Sequence, residues 1–286
     1  ATFTSLSGTV TIRGGTFDSV SNGGILVAGG VLNILPDEGK EVQINAALGI
    51  RGISECEVNI GGGNFVGAPV EDMMNKNDIT PDMEGKIVSV MILEKCTVNI
   101  TSGSFEGLVL VLTDESDTTV SGGVFAEPVA AKYLAEGYVF SVQDGKYVVV
   151  EGTAQAIVLH GEEEYSFASV ADALVFAAEG DTVRLNADVT ENVTIEKSVT
   201  IDLNGYSISS AQGYAIDVIG GLTQEEKIEV VILSTGEQGT IGSDSNNVGL
   251  NVKNFADVTV ENVYAKGSIY GVQMGDNGSA YQTVVT

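Results

Sequence analysis

Residues 98–105 read Val-Asn-Ile-Thr-Ser-Gly-Ser-Phe, and residues 58–65 read Val-Asn-Ile-Gly-Gly-Gly-Asn-Phe. In both stretches a short alternating pattern leads to Gly-x-Phe, and the phenylalanine lies five residues after the isoleucine. The Gly-x-Phe phrase occurs four times, ending at Phe17, Phe65, Phe105 and Phe125. Such self-similarity is the signature of a repeat architecture.

The spacing of the repeat predicts stacked coils of β-strand. Four aliphatic residues lie five positions before a phenylalanine of this phrase, and Ile34 ends a similar alternating stretch that lacks the phrase. These five marker residues are Ile12, Ile34, Ile60, Ile100 and Val120, at steps of 22, 26, 40 and 20 residues. We interpret the long step as one coil plus an insertion, residues 66–86. A unit of this length without a helix suits one turn of a parallel β-solenoid. The aliphatic residues and the phenylalanines are then predicted to form inward-facing ladders.

Charge and composition narrow the classes of partner. The 286 residues include 13 Lys and Arg against 39 Asp and Glu, for a net charge of −26. A surface of this kind repels nucleic acid and anionic membranes. No apolar run is long enough to insert into a membrane. We therefore expect no nucleic-acid partner and no membrane insertion. A Lys-poor chain rich in Thr, Asn and Gly favours a secreted or cell-surface, extracellular protein.

Cys56 and Cys96 occupy the same position of the repeat, each two residues before an inward-facing valine. They are expected on neighbouring coils, within reach of each other. Two interpretations stay open. The favoured one is a pair of small buried thiols that pack as core residues, because in-register neighbours on parallel strands rarely give good disulfide geometry. A disulfide is the alternative.

The pattern changes near residue 150. Asp144-Gly145 between two alternating stretches, 138–142 and 146–150, predicts a β-hairpin. A helix is predicted from the spacing of Phe167, Val170, Ala171, Leu174 and Ala178, with a capping box from Ser169 to Asp172. Short strands then resume. We predict two β-helix segments: residues 1–152, the C-terminal part of a first β-helix with a capping hairpin, and residues 153–286, the N-terminal part of a second with a capping helix.

The chain resembles the right-handed parallel β-helix proteins of the pectin-lyase-like group. More narrowly it is similar to repeat-bearing surface proteins of gut and other Gram-positive-type bacteria. The resemblance covers nearly the whole chain, and the phrases that carry it are residues 10–17, 135–138, 180–185 and 200–205. It implies an all-β, right-handed parallel β-helix in two solenoid units. It also implies a role in adhesion or at surface glycans. Since one fold hosts many functions, the activity does not follow.

No catalytic residues are assigned from the sequence. The single histidine, His160, is interpreted as a solvated linker residue, and the three arginines lie on different coils. No Asp-Asp pair and no Arg-x-Lys run marks a pectin-cleaving centre, and nothing selects two of the 39 acidic residues as an acid–base pair. The prediction is therefore a non-catalytic protein, with a polysaccharide lyase or glycoside hydrolase on the same fold as the alternative.

Two groups of residues are the candidates for binding. The first is the acidic insertion, where the carboxylates are Glu71, Asp72, Asp78, Asp82 and Glu84. They have the ligand chemistry for Ca²⁺, but their spacing fits no calcium loop, so a solvated loop that folds back through its methionines is preferred, with no metal and no cofactor assigned. The second group is Tyr264 and Tyr270, which are candidates for contact with glycans.

The function expected from these observations is that of a surface scaffold or adhesin. Its partners are predicted to be glycans or a host surface. The first strands begin within the first dozen residues, and the last stretch contains no closing hairpin, so open coil edges are expected at both ends. Such edges favour end-to-end self-association or continuation into further coils.

Overall fold

The structure is a computed structural model, and it describes residues 3–5, 7–18, 25–52, 55–73, 79–81, 83–245, 248–275 and 283–285. The chain divides into two compact units, Ala1–Glu151 and Gly152–Thr286.

The first unit consists mainly of short strands, with one helical turn, α1, and a 3-10 turn at Ala131–Tyr133. In chain order the elements are β1 (Phe3–Ser5), β2 (Thr9–Ile12), β3 (Gly15–Asp18), β4 (Ile25–Val27), β5 (Gly30–Ile34), β6 (Val42–Asn45), β7 (Leu48–Ile50), β8 (Cys56–Phe65), β9 (Ala68–Pro69), α1 (Val70–Met73), β10 (Ile87–Ile92), β11 (Thr97–Phe105), β12 (Leu108–Val111), β13 (Asp117–Val120), β14 (Val124–Phe125), β15 (Tyr138–Gln143) and β16 (Lys146–Glu151).

These strands stack in parallel. One sheet has the order β1-β4-β7-β10-β12, and β9 adds to β10 in the antiparallel sense. The strands β2, β5, the first half of β8, the first half of β11, and β13 pair in parallel and form a second face. The strands β3, β6, the second halves of β8 and β11, and β14 form a third. Each strand lies beside its equivalent from the next repeat, which we call the next rung.

The predicted ladders are present in the core. Ile12, Ile34, Ile60, Ile100 and Val120 are consecutive partners across five rungs, and all are buried. Phe65, Phe105 and Phe125 stack with ring centroids 4.8 and 4.7 Å apart. The prediction for Phe17 is only partly right. Phe17 is half-buried and pairs with Ile44, so an isoleucine separates it from the stacked rings.

The predicted hairpin is also present. Strands β15 and β16 pair in the antiparallel sense around Asp144 and Gly145, which both have positive φ, as a tight hairpin turn requires. Strand β16 adds to β14, again antiparallel. The ring of Phe140 meets Phe125 edge-on at 5.9 Å, so the hairpin contributes to the aromatic core of the last rung.

The second unit begins with a hairpin and a helix and continues with short strands, with a 3-10 turn at Gln224–Glu226. Its elements are β17 (Ala156–His160), β18 (Glu163–Phe167), α2 (Val170–Phe176), β19 (Thr182–Leu185), β20 (Val189–Thr190), β21 (Val193–Ile195), β22 (Thr200–Asp202), β23 (Ser207–Ser209), β24 (Tyr214–Ile219), β25 (Ile228–Leu233), β26 (Gly239–Ile241), β27 (Val248–Lys253), β28 (Ala256–Glu261), β29 (Val263–Ala265), β30 (Tyr270–Met274) and β31 (Thr283–Val285).

This unit again stacks its strands in parallel on three faces. Their orders are β19-β22-β25-β28-β31, β20-β23-β26-β29 and β21-β24-β27-β30. Strand β17 pairs antiparallel with both β18 and β19. The Ser169 hydroxyl caps α2 by accepting a hydrogen bond from the Asp172 amide at 2.9 Å, which is one of the two hydrogen bonds of the predicted capping box. The helix is shorter than predicted, because Phe167 ends a strand and Ala178 lies beyond the helix.

Two described residues of the insertion pack on the wall of the first unit. Ile79 and Met83 pack against a buried cluster of Val70, Val88 and Met91. This agrees with the expected role of Met83, whereas the side chains of Met73 and Met74 lie outside the described residues. The protein is therefore all-β, with parallel strands in stacked sheets, an arrangement compatible with a β-helix.

Candidate functional site

A groove on the first unit is lined by several charged side chains. Its volume is about 920 Å³. It crosses five rungs where β2, β5, β8, β11 and β13 begin, which corresponds to a length of about 19 Å at the usual strand spacing. The residues that line it are Ser7, Gly8, Gly30, Val31, Gly52, Glu55, Cys56, Glu57, Lys95, Cys96, Thr97, Glu115 and Asp117.

A disulfide between Cys56 and Cys96 lies in the lining of this groove. It joins two neighbouring rungs, with Cα atoms 4.7 Å apart and a sequence separation of 40 residues. The interpretation of the cysteines as free thiols is therefore wrong. That interpretation assumed that parallel neighbours align poorly, but Cys56 is opposite Gly30 at the first residue of β8, while Cys96 precedes β11. At the strand ends the backbone is free to bring the two sulfurs together.

The groove has an acidic rim. Glu55, Glu57, Glu115 and Asp117 are exposed carboxylates, and Lys95 is the single cation among the described residues that line it. Four carboxylates against one ammonium give the groove a negative potential, which attracts cations and repels anions. The Glu57 carboxylate is held in place because it accepts a hydrogen bond from the Asn59 side chain at 2.8 Å.

Close backbone contacts shape the floor of the groove. A Cβ atom added at Gly52 would collide with the carbonyl of Lys95, and one added at Gly30, which has positive φ, would collide with the backbone of Gly8. Glycine is required at both corners for this reason. The carbonyl of Cys96 accepts hydrogen bonds from the Asp117 amide and the Ser116 hydroxyl, at 3.1 and 2.7 Å, so the next rung fixes the disulfide from above.

Of the five carboxylates predicted as a binding site in the acidic insertion, the described structure brings two to one cavity. Glu71 and Glu84 line a cavity of about 290 Å³ together with Ile79, Thr80 and Pro81. The Glu71 carboxylate accepts a hydrogen bond from the Gly85 amide at 2.7 Å, and this bond lowers the pKa of Glu71. Asp72 belongs to α1, and Asp78 and Asp82 lie outside the described residues. Within the described residues, no cluster of three or more acidic, His or Cys side chains is arranged to hold a metal ion.

The two candidate tyrosines lie on different sheets of the second unit. Tyr264 is on β29 and Tyr270 on β30, and each is 55% exposed. Their neighbours differ as well, because Tyr264 pairs with Thr240 and Tyr270 with Val248. The structure therefore gives two separate exposed rings, and it leaves their contact with glycans as a prediction.

His160 is not a linker residue, contrary to the sequence interpretation. It ends β17, and its Nδ1 lies 2.9 Å from both carboxylate oxygens of Asp181. Asp181 is only 8% exposed and also accepts a hydrogen bond from the Ala178 amide at 2.8 Å. The pair fastens the turn after α2 to the hairpin β17/β18. We assign it a structural role.

The arginines are likewise used in surface ion pairs. Arg13 pairs with Asp37 at 2.9 Å and Arg184 with Glu164 at 3.0 Å, while Arg51 is 3.8 Å from Glu94. Each pair keeps substantial exposure, so its contribution to stability is small.

Sequence reasoning missed the groove. Its charged residues are Glu55, Glu57, Lys95, Glu115 and Asp117, which are dispersed along the sequence and follow no motif. The signal that could have found them was the repeat itself, because the charged residues flank the two cysteines or their equivalent on the next rung. Aligning the rungs places them side by side.

Comparison of the chain with protein-family models, with curated proteins and with solved structures finds no match. None of the helices in the described ranges has the length and apolar character of a membrane-spanning segment.

Proposed function

We propose that this chain is a non-catalytic segment of an extracellular surface protein. In this proposal each unit is part of a right-handed parallel β-helix, and the segment serves as a scaffold or adhesin that contacts glycans. The proposal rests above all on one observation: side chains on the outer face of the first unit are used to hold successive rungs together.

That outer face carries a ladder of amides. The Asn59 side chain donates to Asn33 at 3.0 Å, and Asn99 donates to Asn59 at 2.9 Å. Asn33 in turn lies 3.4 Å from the Thr11 hydroxyl, so the ladder crosses four rungs. Amide ladders of this kind are known to stabilise stacked strands. A wall built this way favours a rigid, extended support.

The location proposed outside the cell is favoured by the disulfide. Structural disulfides persist in oxidising compartments and are rare where thiols are kept reduced. The net charge of −26 keeps such a surface soluble and well separated from anionic polymers. Neutral or amine-bearing glycans are therefore better candidate partners than acidic ones.

End-to-end association is favoured by the last described strand of one sheet. Tyr270, Val272 and Met274 on β30 are in register with the buried Val248, Leu250 and Val252 of β27. Val272 is nevertheless 41% exposed and Met274 51%. Apolar residues at core positions gain stability when a further rung covers them. In our proposal that rung comes from a second copy of the chain or from a further coil of the same polypeptide.

One observation favours the second candidate, a glycoside hydrolase. Glu57 and Asp117 line the groove, and both pair with Thr97, so they stand two rungs apart on one column. Two rungs correspond to about 9.6 Å between backbones. Inverting hydrolases hold their two carboxyl groups about 6.5–9.5 Å apart. The exposed position of both side chains argues for the scaffold as the first choice.

A single panel distinguishes these functions. The chain is incubated with immobilised neutral, amine-bearing and acidic glycans, with and without Ca²⁺, and both retention and released sugar are measured. We expect retention on some neutral or amine-bearing glycan without release of product. Product that disappears in Glu57→Gln and Asp117→Asn would establish the hydrolase. Neither retention nor product on any glycan would contradict the adhesin proposal.

A further inference from the structure

The disulfide and the groove together have a chemical consequence. Both cysteines line the groove, but they differ in exposure: Cys56 is half-buried, whereas Cys96 is only 3% exposed. Cys56 is therefore the residue that we expect a small thiol in the groove to attack without unfolding of the unit. The rim around them carries Glu55, Glu57, Glu115 and Asp117. Any reagent that approaches the disulfide must therefore enter a negative potential.

Reduction of a disulfide begins with an anion. A thiolate attacks one sulfur, forms a mixed disulfide with it and displaces the other sulfur as a thiolate. A second thiol then attacks the mixed disulfide, which releases the reagent as its own disulfide. Two reagent thiols are oxidised, and Cys56 and Cys96 each end as a thiol. Proton and electron counts balance without a further reactant.

We propose that the Cys56–Cys96 disulfide is a redox-sensitive link that the acidic groove opens selectively to cationic small thiols. A thiol that carries an ammonium group is attracted to the rim while its thiolate attacks, whereas a thiol that carries a second anionic group is repelled. The inference does not depend on the proposed adhesion.

The link has a defined structural target. It connects β8 to β11, and the segment between them contains α1 and the insertion. Backbone pairing of β8 with β11 runs from Glu57 opposite Thr97 to Phe65 opposite Phe105, with two shifts in register, so we expect the rungs to stay paired after reduction. What it removes is the covalent closure around the insertion. The expected result is faster local opening of residues 66–95 in an otherwise folded unit.

The test compares three small thiols on the intact chain: cysteamine, 2-mercaptoethanol and 2-mercaptoethanesulfonate. Rates of appearance of free Cys56 and Cys96 are measured by alkylation and mass spectrometry and divided by thiolate concentration. The same thiols acting on bis(3-hydroxypropyl) disulfide, a neutral reference that is not the disulfide of any of the three, correct for differences in nucleophilicity. At low salt we expect the ratio of the cysteamine rate to the sulfonate rate to be about tenfold larger on this protein than on the reference disulfide. We call this factor the cysteamine excess. In about 1 M salt the excess should vanish.

Variants assign the effect to the rim. Glu55→Gln together with Glu57→Gln should reduce the excess at least by half, because two of the four carboxylates are neutralised while the new amide oxygen at position 57 can still accept from Asn59. The pair Glu179→Gln and Glu225→Gln, which changes exposed carboxylates of the second unit, should leave it unchanged. Lys95→Gln should increase the excess.

Two results would overturn the proposal. One is a cysteamine-to-sulfonate ratio equal to that of the reference at both salt concentrations. The other is a reduction rate that does not depend on thiol concentration, since this would mean that the sulfurs are reached only after unfolding.

Discussion

The two units stack parallel strands in the same way but join successive rungs by different side chains. In the first unit, identical side chains on neighbouring rungs contact each other, as in the stack of Phe65, Phe105 and Phe125 and in the disulfide. In the second unit side chains also meet along a face, as Asn251 and Asp217 do, and polar side chains at the corners bond in addition to the backbone of a neighbouring rung. The comparison indicates that one architecture can be stabilised both along its faces and at its turns.

The corners of the second unit repeat one device. Asn204, Asn254 and Asn262 all have positive φ, and each side chain donates to a carbonyl of the preceding rung. The buried Asp202 adds to this, because its carboxylate accepts from the Asn204 amide and from the amide and hydroxyl of Thr235. Asparagine suits the role because it tolerates the left-handed conformation and carries a donor.

The largest effect is expected from the ring stack of the first unit. Phe105→Ala should lower the free energy of unfolding by about 3–5 kcal/mol, because it removes a fully buried ring between two others. Phe17→Ala should cost clearly less, since Phe17 is half-buried and next to an isoleucine. Urea unfolding followed by circular dichroism and by hydrogen exchange resolves the two units. A loss below about 1 kcal/mol for Phe105→Ala would contradict the stacking.

The disulfide provides the next largest difference between the units. Replacing Cys56 and Cys96 by Ser should destabilise the first unit by about 3–4 kcal/mol, because the link joins residues that are 40 positions apart. Hydrogen exchange in the second unit should not change. Reduction of the unsubstituted chain is the control and should give the same loss. Equal destabilisation of both units would mean that the link does not act locally.

The ladders and the hairpin of the first unit could be predicted from the sequence, whereas its disulfide could not. The ladders of the first unit were predictable because identical side chains stack on successive rungs, so the same residue type recurs in the sequence at nearly the same interval. Its hairpin was predictable because Asp144-Gly145 has the turn chemistry itself. The disulfide was not, because its geometry depends on backbone freedom at strand ends, which the alternation pattern does not describe.

The second unit shows the limit more clearly. Its corners contain polar side chains with different roles: Asp202 accepts from the Thr235 amide, the Ser234 hydroxyl donates to the Glu237 carbonyl, and Asn262 donates to the Ser234 carbonyl. The corner bonds therefore do not repeat one residue type at one fixed interval in the sequence. The pairing of His160 with Asp181 was missed for a related reason: the partners are 21 residues apart, and only the pairing of β17 with β19 brings them together.

A corner asparagine tests the device of the second unit. Asn204→Ala should destabilise that unit by about 1–2 kcal/mol, because alanine is disfavoured at positive φ and the bond to the Leu185 carbonyl is lost. Asn204→Gly is the matched control, since it loses the same bond without conformational strain and should cost less. Thermal unfolding with hydrogen exchange measures both. If Asn204→Gly lowers the free energy of unfolding as much as Asn204→Ala does, the strain of alanine at positive φ contributes nothing to the difference.

The smallest effect concerns one surface ion pair in each unit. Glu106 lies 2.7 Å from the Lys146 ammonium, and this hydrogen bond lowers the pKa of Glu106. A carboxylate whose pKa is lowered by folding stabilises the folded state above its unfolded pKa of about 4.3, and that contribution is lost as the pH falls through the folded pKa.

Glu106→Gln should therefore cost less than about 1 kcal/mol near neutral pH, because both side chains remain partly exposed, and nothing well below about pH 4. The change should appear in the first unit, where Glu106 follows β11 and Lys146 begins β16. Glu164→Gln is the counterpart, since it breaks the pair with Arg184 in the second unit. Urea titrations at about pH 7 and about pH 3 measure each variant. A cost for Glu106→Gln that persists in acid would mean that Glu106 acts through packing rather than charge, and the pair would then belong with the ladders that join the rungs of the first unit.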